Sequence, residues 1–265
     1  MLLAIDVGNT NTVFAVLKGM DIVGEWRIAT NDSRTADEYM VWLSQLMQIN
    51  NILPSQIDGT IISQVVPQAL FDIRTLCRKY FGGEPMVVGE GGVSIGLKIK
   101  LARPEQVGAD RLVNAVAAHK AYPGNLIVID FGTATTFDIV SAAGDYEGGI
   151  ISPGVNLSIQ ALHDAAAKLP HIAVRRPDAV IGKDTVSAML SGVYWGYIGL
   201  VEGLVQRIKA EYGAPMTVVS TGGLGHLLRH GTPVIEHFDP DLTIKGLAEV
   251  YANNPTLQRQ AGHSG

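Results

Sequence analysis

The chain carries one strand-turn-strand unit twice. Residues 3–16 read LAIDVGNTNTVFAV and residues 127–140 read IVIDFGTATTFDIV. Each is a short apolar run ending in Asp, then one residue, a Gly, a small polar turn and a second apolar run. Asp6 aligns with Asp130, Gly8 with Gly132, Thr12 with Thr136 and Val16 with Val140, all 124 positions apart in a chain of 265 residues. Repetition of a supersecondary unit at nearly half the chain length points to duplicated architecture. It predicts two similar α/β lobes with mixed sheets flanked by helices. The first covers 1–120 and ends near the turn Tyr122-Pro123-Gly124; the second covers 121–253.

The rest of the pattern agrees with two lobes. In the first, residues 24–30 alternate like a strand, and 35–49 have a helical period with acids in the first turn. A strand over 60–66 stops at Pro67, a helix runs to Tyr80, a short strand starts at Pro85, and a Gly-rich loop covers 89–96. The helix over 108–122 closes the lobe. In the second, helices are predicted over 155–169, 184–212 and 243–253, with strands over 218–223 and 233–238. Residues 254–265 have no apolar period and read as a flexible tail.

Composition narrows the function. Only 17% of residues are charged and the net charge is -5, which leaves no broad basic surface for a nucleic-acid backbone. Small anions remain possible ligands, because backbone N–H groups in Gly-rich turns hold phosphate without net positive charge. No uninterrupted apolar run approaches the ~18 residues of a membrane span, so no membrane partner is expected. The first residues are apolar but lack a basic leader and are broken by Asp6, Gly8 and Asn9, which reads as strand and turn. The single cysteine, Cys77, lies in a helical pattern and reads as a buried side chain; a chain with one cysteine fits a reducing compartment, the cytoplasm.

Each repeated loop puts a carboxylate at a strand end and a Gly two positions on, where the backbone can turn tightly and expose N–H groups. Facing each other across a cleft, Asp6 and Asp130 would suit a divalent ion, a monovalent ion or water around phosphate oxygens. Thr10, Thr12, Thr133 and Thr135 offer hydroxyls. The competing reading is two ordinary hairpins whose polar side chains satisfy turn backbone groups, although turn stability does not require the same acid at the same strand end twice. A third turn, Ser220-Thr221-Gly222-Gly223, offers the flat backbone that a base and ribose need, or is a plain strand-to-helix corner.

Gly108-Ala109-Asp110-Arg111 opens an amphipathic run, where Asp110 is either a first-turn acid satisfying free N–H groups or an acceptor for the proton of an attacking hydroxyl. In the second case Arg111 would bind an acceptor carboxylate or developing phosphate charge. A capped Asp would have a lowered pKa, which would favour orienting the hydroxyl over deprotonating it. Other nucleotide signatures fail: Gly182-Lys183-Asp184-Thr185 has Asp where a Walker loop needs Ser or Thr, and no GxGxxG opens a βαβ unit. His226 and His230 lack the Glu that a zinc-hydrolase helix needs between them.

Taken together in order, IDVGNT, PEQVGADR, IDFGTATT and STGG resemble type III pantothenate kinases across nearly the whole chain. The resemblance implies a duplicated ribonuclease-H-like (actin-like ATPase) fold and a homodimer. It also implies transfer of the ATP γ-phosphoryl to the primary hydroxyl of pantothenate, the first step of coenzyme A synthesis. By position it makes Asp6, Val7, Gly8, Asn9, Thr10, Asn11, Thr12 and Val13 the ATP-phosphate loop, with Asp6 organising Mg²⁺. Asp110 becomes the proton acceptor, and Gly108, Ala109, Asp110, Arg111 and Thr185 the pantothenate contacts. Asp130 becomes the ligand of a monovalent cation, K⁺ or NH₄⁺, and Thr133 an ATP contact. Relatives often carry Tyr nine residues before the catalytic Asp; here Leu101 stands there. Two other functions share the pattern: a kinase of the same fold acting on another small hydroxylated acid or sugar, and a non-catalytic regulatory accessory protein.

Finally, Gly192, Gly196, Gly199 and Gly203 fall on one face of the 184–212 helix. Interior glycines each cost about 0.5–1 kcal/mol relative to Ala, so a close contact is expected there, with a second copy or with the chain's own sheet.

Overall fold

The computed structural model describes residues 1–166 and 169–261. It divides into two compact units: the first comprises Met1–Lys98, Ala102–Ala117 and the chain from Leu242 onward, the second Ile99–Leu101 and Ala118–Asp241.

The first unit is built on a five-stranded sheet in the order β3-β2-β1-β4-β5, from β1 (Leu2–Val7), β2 (Asn11–Lys18), β3 (Asp21–Ala29), β4 (Gly59–Gln64) and β5 (Met86–Val87). β1 is antiparallel to β2 and parallel to β4, so it is paired along both edges. Alternation sorts its side chains. Leu3 and Ile5 pack with Ile62 under α1 (Ala36–Ile49) and α2 (Pro67–Tyr80), while Leu2 and Ala4 pack with Ile61 against Val113 and Val116 of α3 (Ala109–Ala121). Thr35 and Glu38 form a reciprocal capping box on α1, and Pro67 opens α2 at the position where a missing N–H costs nothing. Cys77 is fully buried and burial pushes its thiol up to about 12, so it is a packing group, as its helical setting implied.

The second unit repeats this topology. β6 (Asn125–Phe131), β7 (Ala134–Val140), β8 (Tyr146–Pro153), β9 (Met216–Thr221) and β10 (His237–Phe238) pair in the order β10-β9-β6-β7-β8, with β6 antiparallel to β7 and parallel to β9. α4 (Val155–Ala165) and α5 (Thr185–Tyr212) cover one face, with Tyr194, Ile198, Val201 and Val205 of α5 in its core. By length and composition α5 could cross a membrane, but it is the core helix of this unit, with its apolar face spent on the sheet. α6 (Gly225–Leu228) follows β9.

Four expectations change. The sequence placed 243–253 in the second lobe, whereas α7 (Leu242–Ala252) belongs to the first unit. Ile244, Leu247, Ala248 and Val250 pack with the Leu2, Ala4 and Ile61 face, and Gly246 lies so close to the Val113 carbonyl that a Cβ would overlap it. A helical period cannot announce which sheet a helix will cover. The tail is the second change: Pro255–Ala261 form α8, begun by Pro255 and anchored by Asn254. Asn254 accepts from Ser94 N (2.8 Å) and donates to the carbonyls of Ser94 (2.8 Å) and Val250 (2.7 Å). Third, the 155–169 helix ends at Ala165; residues 167–168 lie outside the described residues, as do 262–265. Fourth, the strand expected over 233–238 is regular only at His237–Phe238.

The glycine face of α5 does not lie on its own sheet. Gly192, Gly196 and Gly199 are exposed, and an added Cβ at any of them would meet nothing within 4 Å.

Candidate active site

The two repeated loops stand at the C-terminal ends of the central strands, where a parallel neighbour also ends. In the first unit the turn between β1 and β2 is closed by Gly8 N donating to Asn11 O (3.1 Å) and by the Val7–Thr12 pair. Asn9, Thr10 and Asn11 form an exposed tip. Thr30, just past β3, braces it: its hydroxyl donates to Gly8 O (2.7 Å) and its N–H to Thr10 O (3.0 Å), and its Oγ1 meets Thr12 Oγ1 (2.9 Å). The loop is therefore held open by a residue that sequence reasoning did not single out.

In the second unit the turn is one residue shorter: Gly132 N donates to Ala134 O (3.0 Å) and the closing pair is Phe131–Thr135. Beyond the turn the structural match thus slips by one, so Thr12 corresponds to Thr135, not to Thr136. A one-residue slip exchanges the faces of a strand. Thr12 and Thr135 are both buried, while Thr136 pairs with Asp130. Of the hydroxyls that the sequence offered to phosphate, Thr10 and Thr133 are exposed and Thr12 and Thr135 face inward.

Gly222 packs on Asp130. Its φ is +89°, and a Cβ there would overlap Asp130 Oδ1 and the Phe131 backbone. The Ser220–Gly223 turn is thus shaped by the carboxylate beside it, and Gly223 is the glycine with open space around it. A third segment joins them: Gly154 N donates to Thr133 O (3.1 Å), again with no room for a Cβ. Tyr197 OH donates to Pro153 O (2.9 Å) and steadies this corner.

The Gly108–Arg111 turn is tied to the first loop through β4. Val65 N donates to Val7 O (3.1 Å), and the position of a Cβ on Gly108 would lie 3.6 Å from Val65 Cγ1. That Cβ would also sit 2.5 Å from Asp110 Oδ1, so glycine is what allows the carboxylate to fold back over the turn. Asp110 accepts from Arg111 N (2.8 Å), the first-turn contact expected of it. The expected lowering of its pKa does not follow. Burial raises Asp110, outweighing the Arg111 N–H and guanidinium, which pull it down. A raised carboxylate is the stronger base, the direction a proton acceptor needs.

Thr185 stands exposed at the start of α5, which Asp184 and Ser187 cap. Leu101 packs toward β8, its Cδ2 3.5 Å from the Cβ position of Gly148. Among the described residues no group of three His, Cys, Asp or Glu side chains forms a metal cage.

This duplicated fold, with an Asp-x-Gly turn at the end of each central strand, is that of the actin-like ATPase and sugar-kinase class. Solved structures share it. An activator of 2-hydroxyisocaproyl-CoA dehydratase from Clostridium difficile with bound ADPNP matches at TM-score 0.59 and 12% identity over 98% of this chain and 96% of that one. A Campylobacter jejuni protein named as a Baf family transcriptional activator matches at 0.61 and 19% over 96% and 99%. At sequence level the type III pantothenate kinase family model matches residues 2–207. The type III pantothenate kinase of Paramagnetospirillum magneticum is 60% identical over 98% of this chain and 100% of its own length. That of Caulobacter vibrioides is 59% identical over 96% and 98%. The chain belongs to the type III pantothenate kinase family.

Gly222→Ala should damage both fold and site. The positive φ and the overlap with Asp130 predict a loss of about 1–3 kcal/mol, read as a lower Tm. Gly223→Ala, with open space around it, should melt within a degree or two of the parent.

Proposed function

We infer that the chain is a pantothenate kinase, transferring the γ-phosphoryl of ATP to the primary hydroxyl of pantothenate to give 4'-phosphopantothenate and ADP, the first step of coenzyme A biosynthesis. Agreement with the family over nearly the whole chain carries this reading: 60% identity over 98% of its residues. The half-buried Asp110, whose carboxyl desolvation raises above the usual range, supports it. The acceptor oxygen attacks the γ-phosphorus as the bond to ADP breaks, and the hydroxyl proton passes to Asp110. Arg111 neutralises the pantothenate carboxylate, and Gly108, Ala109 and Thr185 complete the acceptor contacts. The turn N–H groups and polar side chains of Asp6–Val13 hold the ATP phosphates, with Thr133 as a further ATP contact. Mg²⁺ beside Asp6 and K⁺ or NH₄⁺ beside Asp130 supply charge neutralisation for the phosphates. The cytoplasm, where these substrates are made and used, is the compartment this reading requires.

The direct test is mass analysis of the product after incubation with ATP, magnesium, potassium and pantothenate; phosphorylation of another hydroxyl compound with pantothenate inert would overturn it. Asp110→Asn should lower kcat by roughly 10²–10⁴-fold with little change in substrate binding. Because Asp110 is raised by burial, the acid limb of the wild-type rate profile should lie above the ~3.9 of a free Asp. Below that limb the protonated acid cannot accept a proton. The same sign makes the neutral form the one favoured by folding, so the stability that protonation contributes is lost as pH rises through the folded pKa. Asp110→Asn should accordingly keep or raise the Tm at neutral pH. A variant retaining more than about a third of wild-type kcat contradicts the role of base.

We propose further that the protein is a homodimer that uses the open glycine face of α5. Exposed glycines in a helix interior are unfavourable without a close partner, and an added Cβ at Gly192, Gly196 or Gly199 would meet none among the described residues. Sedimentation equilibrium at micromolar concentration should give twice the chain mass, and Gly196→Leu should shift it toward monomer. A clean monomer for the parent protein contradicts the proposal.

A further inference from the structure

Ser63 is 0% exposed, and its hydroxyl has no hydrogen-bond partner among the described residues. A buried hydroxyl without a partner forfeits its bonds to water and gains nothing in return, so such groups are rare and call for a cause. Its place in the fold supplies one. Ser63 lies on β4 as the register partner of Asp6 on β1. Strand alternation puts both on the sheet face that carries Leu2, Ala4 and Ile61, the face covered by α3. Two residues on, Val65 bonds to Val7 and abuts Gly108, so Ser63 stands one strand from the phosphate loop and on the side where the Asp110 turn begins. The second unit repeats the juxtaposition: Thr221, 2% exposed, is the register partner of Asp130 on the parallel strand β9.

We propose that Ser63 is a positioning residue for Asp6: in the nucleotide-loaded protein its hydroxyl donates to the Asp6 carboxylate and fixes the rotamer that turns the other oxygen toward magnesium-bound phosphate. The proposal rests on the reading of Asp6–Val13 as the phosphate loop. Asp6 is already engaged in this structure, but a carboxylate has lone pairs for several donors, whereas Ser63 has one proton to give. A hydroxyl-to-carboxylate bond is charge-assisted and roughly twice as strong as a neutral one. Such a bond gives the Ser63 hydroxyl the partner it lacks among the described residues.

A hydroxyl that serves only packing and one that serves the loaded state respond oppositely to removal. Ser63→Ala, measured without ligand, should melt at or above the wild-type temperature, since it deletes a polar group that has no partner there. Its Kd for magnesium with a non-hydrolysable ATP analogue, by calorimetry, should rise about 10–100-fold, while the KM for pantothenate stays within about twofold. An unchanged Kd overturns the proposal, and so does a lower melting temperature without ligand, because either shows that the hydroxyl does its work in the empty protein or not at all. Asp6→Asn, run in parallel, separates the two layers of inference. If it binds the analogue like wild type, the reading of the phosphate loop fails; if it weakens binding and Ser63→Ala does not, only the role of Ser63 fails.

Discussion

Everything proposed for this molecule depends on a carboxylate fixed at the end of a strand that is hydrogen-bonded along both edges. β1 is paired with β2 and β4, and β6 with β7 and β9, so the backbones of Asp6 and Asp130 cannot shift without breaking a sheet on two sides. Two residues later each chain must reverse, and Gly8 and Gly132 close the turns with N–H bonds across the loop. A charge placed this way needs little reorganisation when an anion and its metal arrive, which is how preorganised sites lower barriers. In the first unit the brace comes from Thr30; in the second it comes from Gly154 and from the glycine of the neighbouring turn.

The same scaffold has diverged by small local changes. One residue fewer in the second turn sets Thr136 beside Asp130, whereas Val13 lies beside Asp6. The residue after the hydroxyl-bearing position on the neighbouring strand is Gln64 in one unit and Gly222 in the other, and only the glycine lets the backbone close on the carboxylate. The first unit adds the Gly108–Arg111 turn beside Val65, where burial makes Asp110 a stronger base than an exposed Asp. The proposed division of one repeated aspartate between two different ions rests on this contrast, since the backbone at its side differs and the strand beneath it does not.

Much of this was legible in the sequence, for physical reasons that differ by element. The duplication shows because strand alternation and the Asp-x-Gly turn are both local. The 35–49 and 184–212 helices show to within a residue because their caps are encoded beside them: Thr35 with Glu38, and Asp184 with Ser187 ahead of Gly213 in the left-handed conformation. What stayed hidden depends on partners distant in the chain. α7 has a helical pattern that fits either sheet, and its place is decided by Val113 against Gly246. The turn of α8 rests on Asn254 reaching Ser94. The slip that matches Thr12 with Thr135 is invisible to a fixed-offset alignment, and the direction of the Asp110 pKa needed its burial, which no run of residues states. Ser63 escaped notice because a serine in an apolar strand is unremarkable until its register partner is known to be Asp6.

The central claim is that two copies of one strand-end aspartate now hold different ions. It is tested most directly by steady-state rates for Asp6→Asn and Asp130→Asn, with Mg-ATP and potassium each titrated against wild type in Tris buffer freed of other monovalent activators. The account predicts that Asp6→Asn shifts the Mg-ATP dependence, and that Asp130→Asn shifts or abolishes the potassium dependence while the wild-type protein needs the cation. Full wild-type turnover without potassium or ammonium, or the same dependence moved by both substitutions, would contradict it.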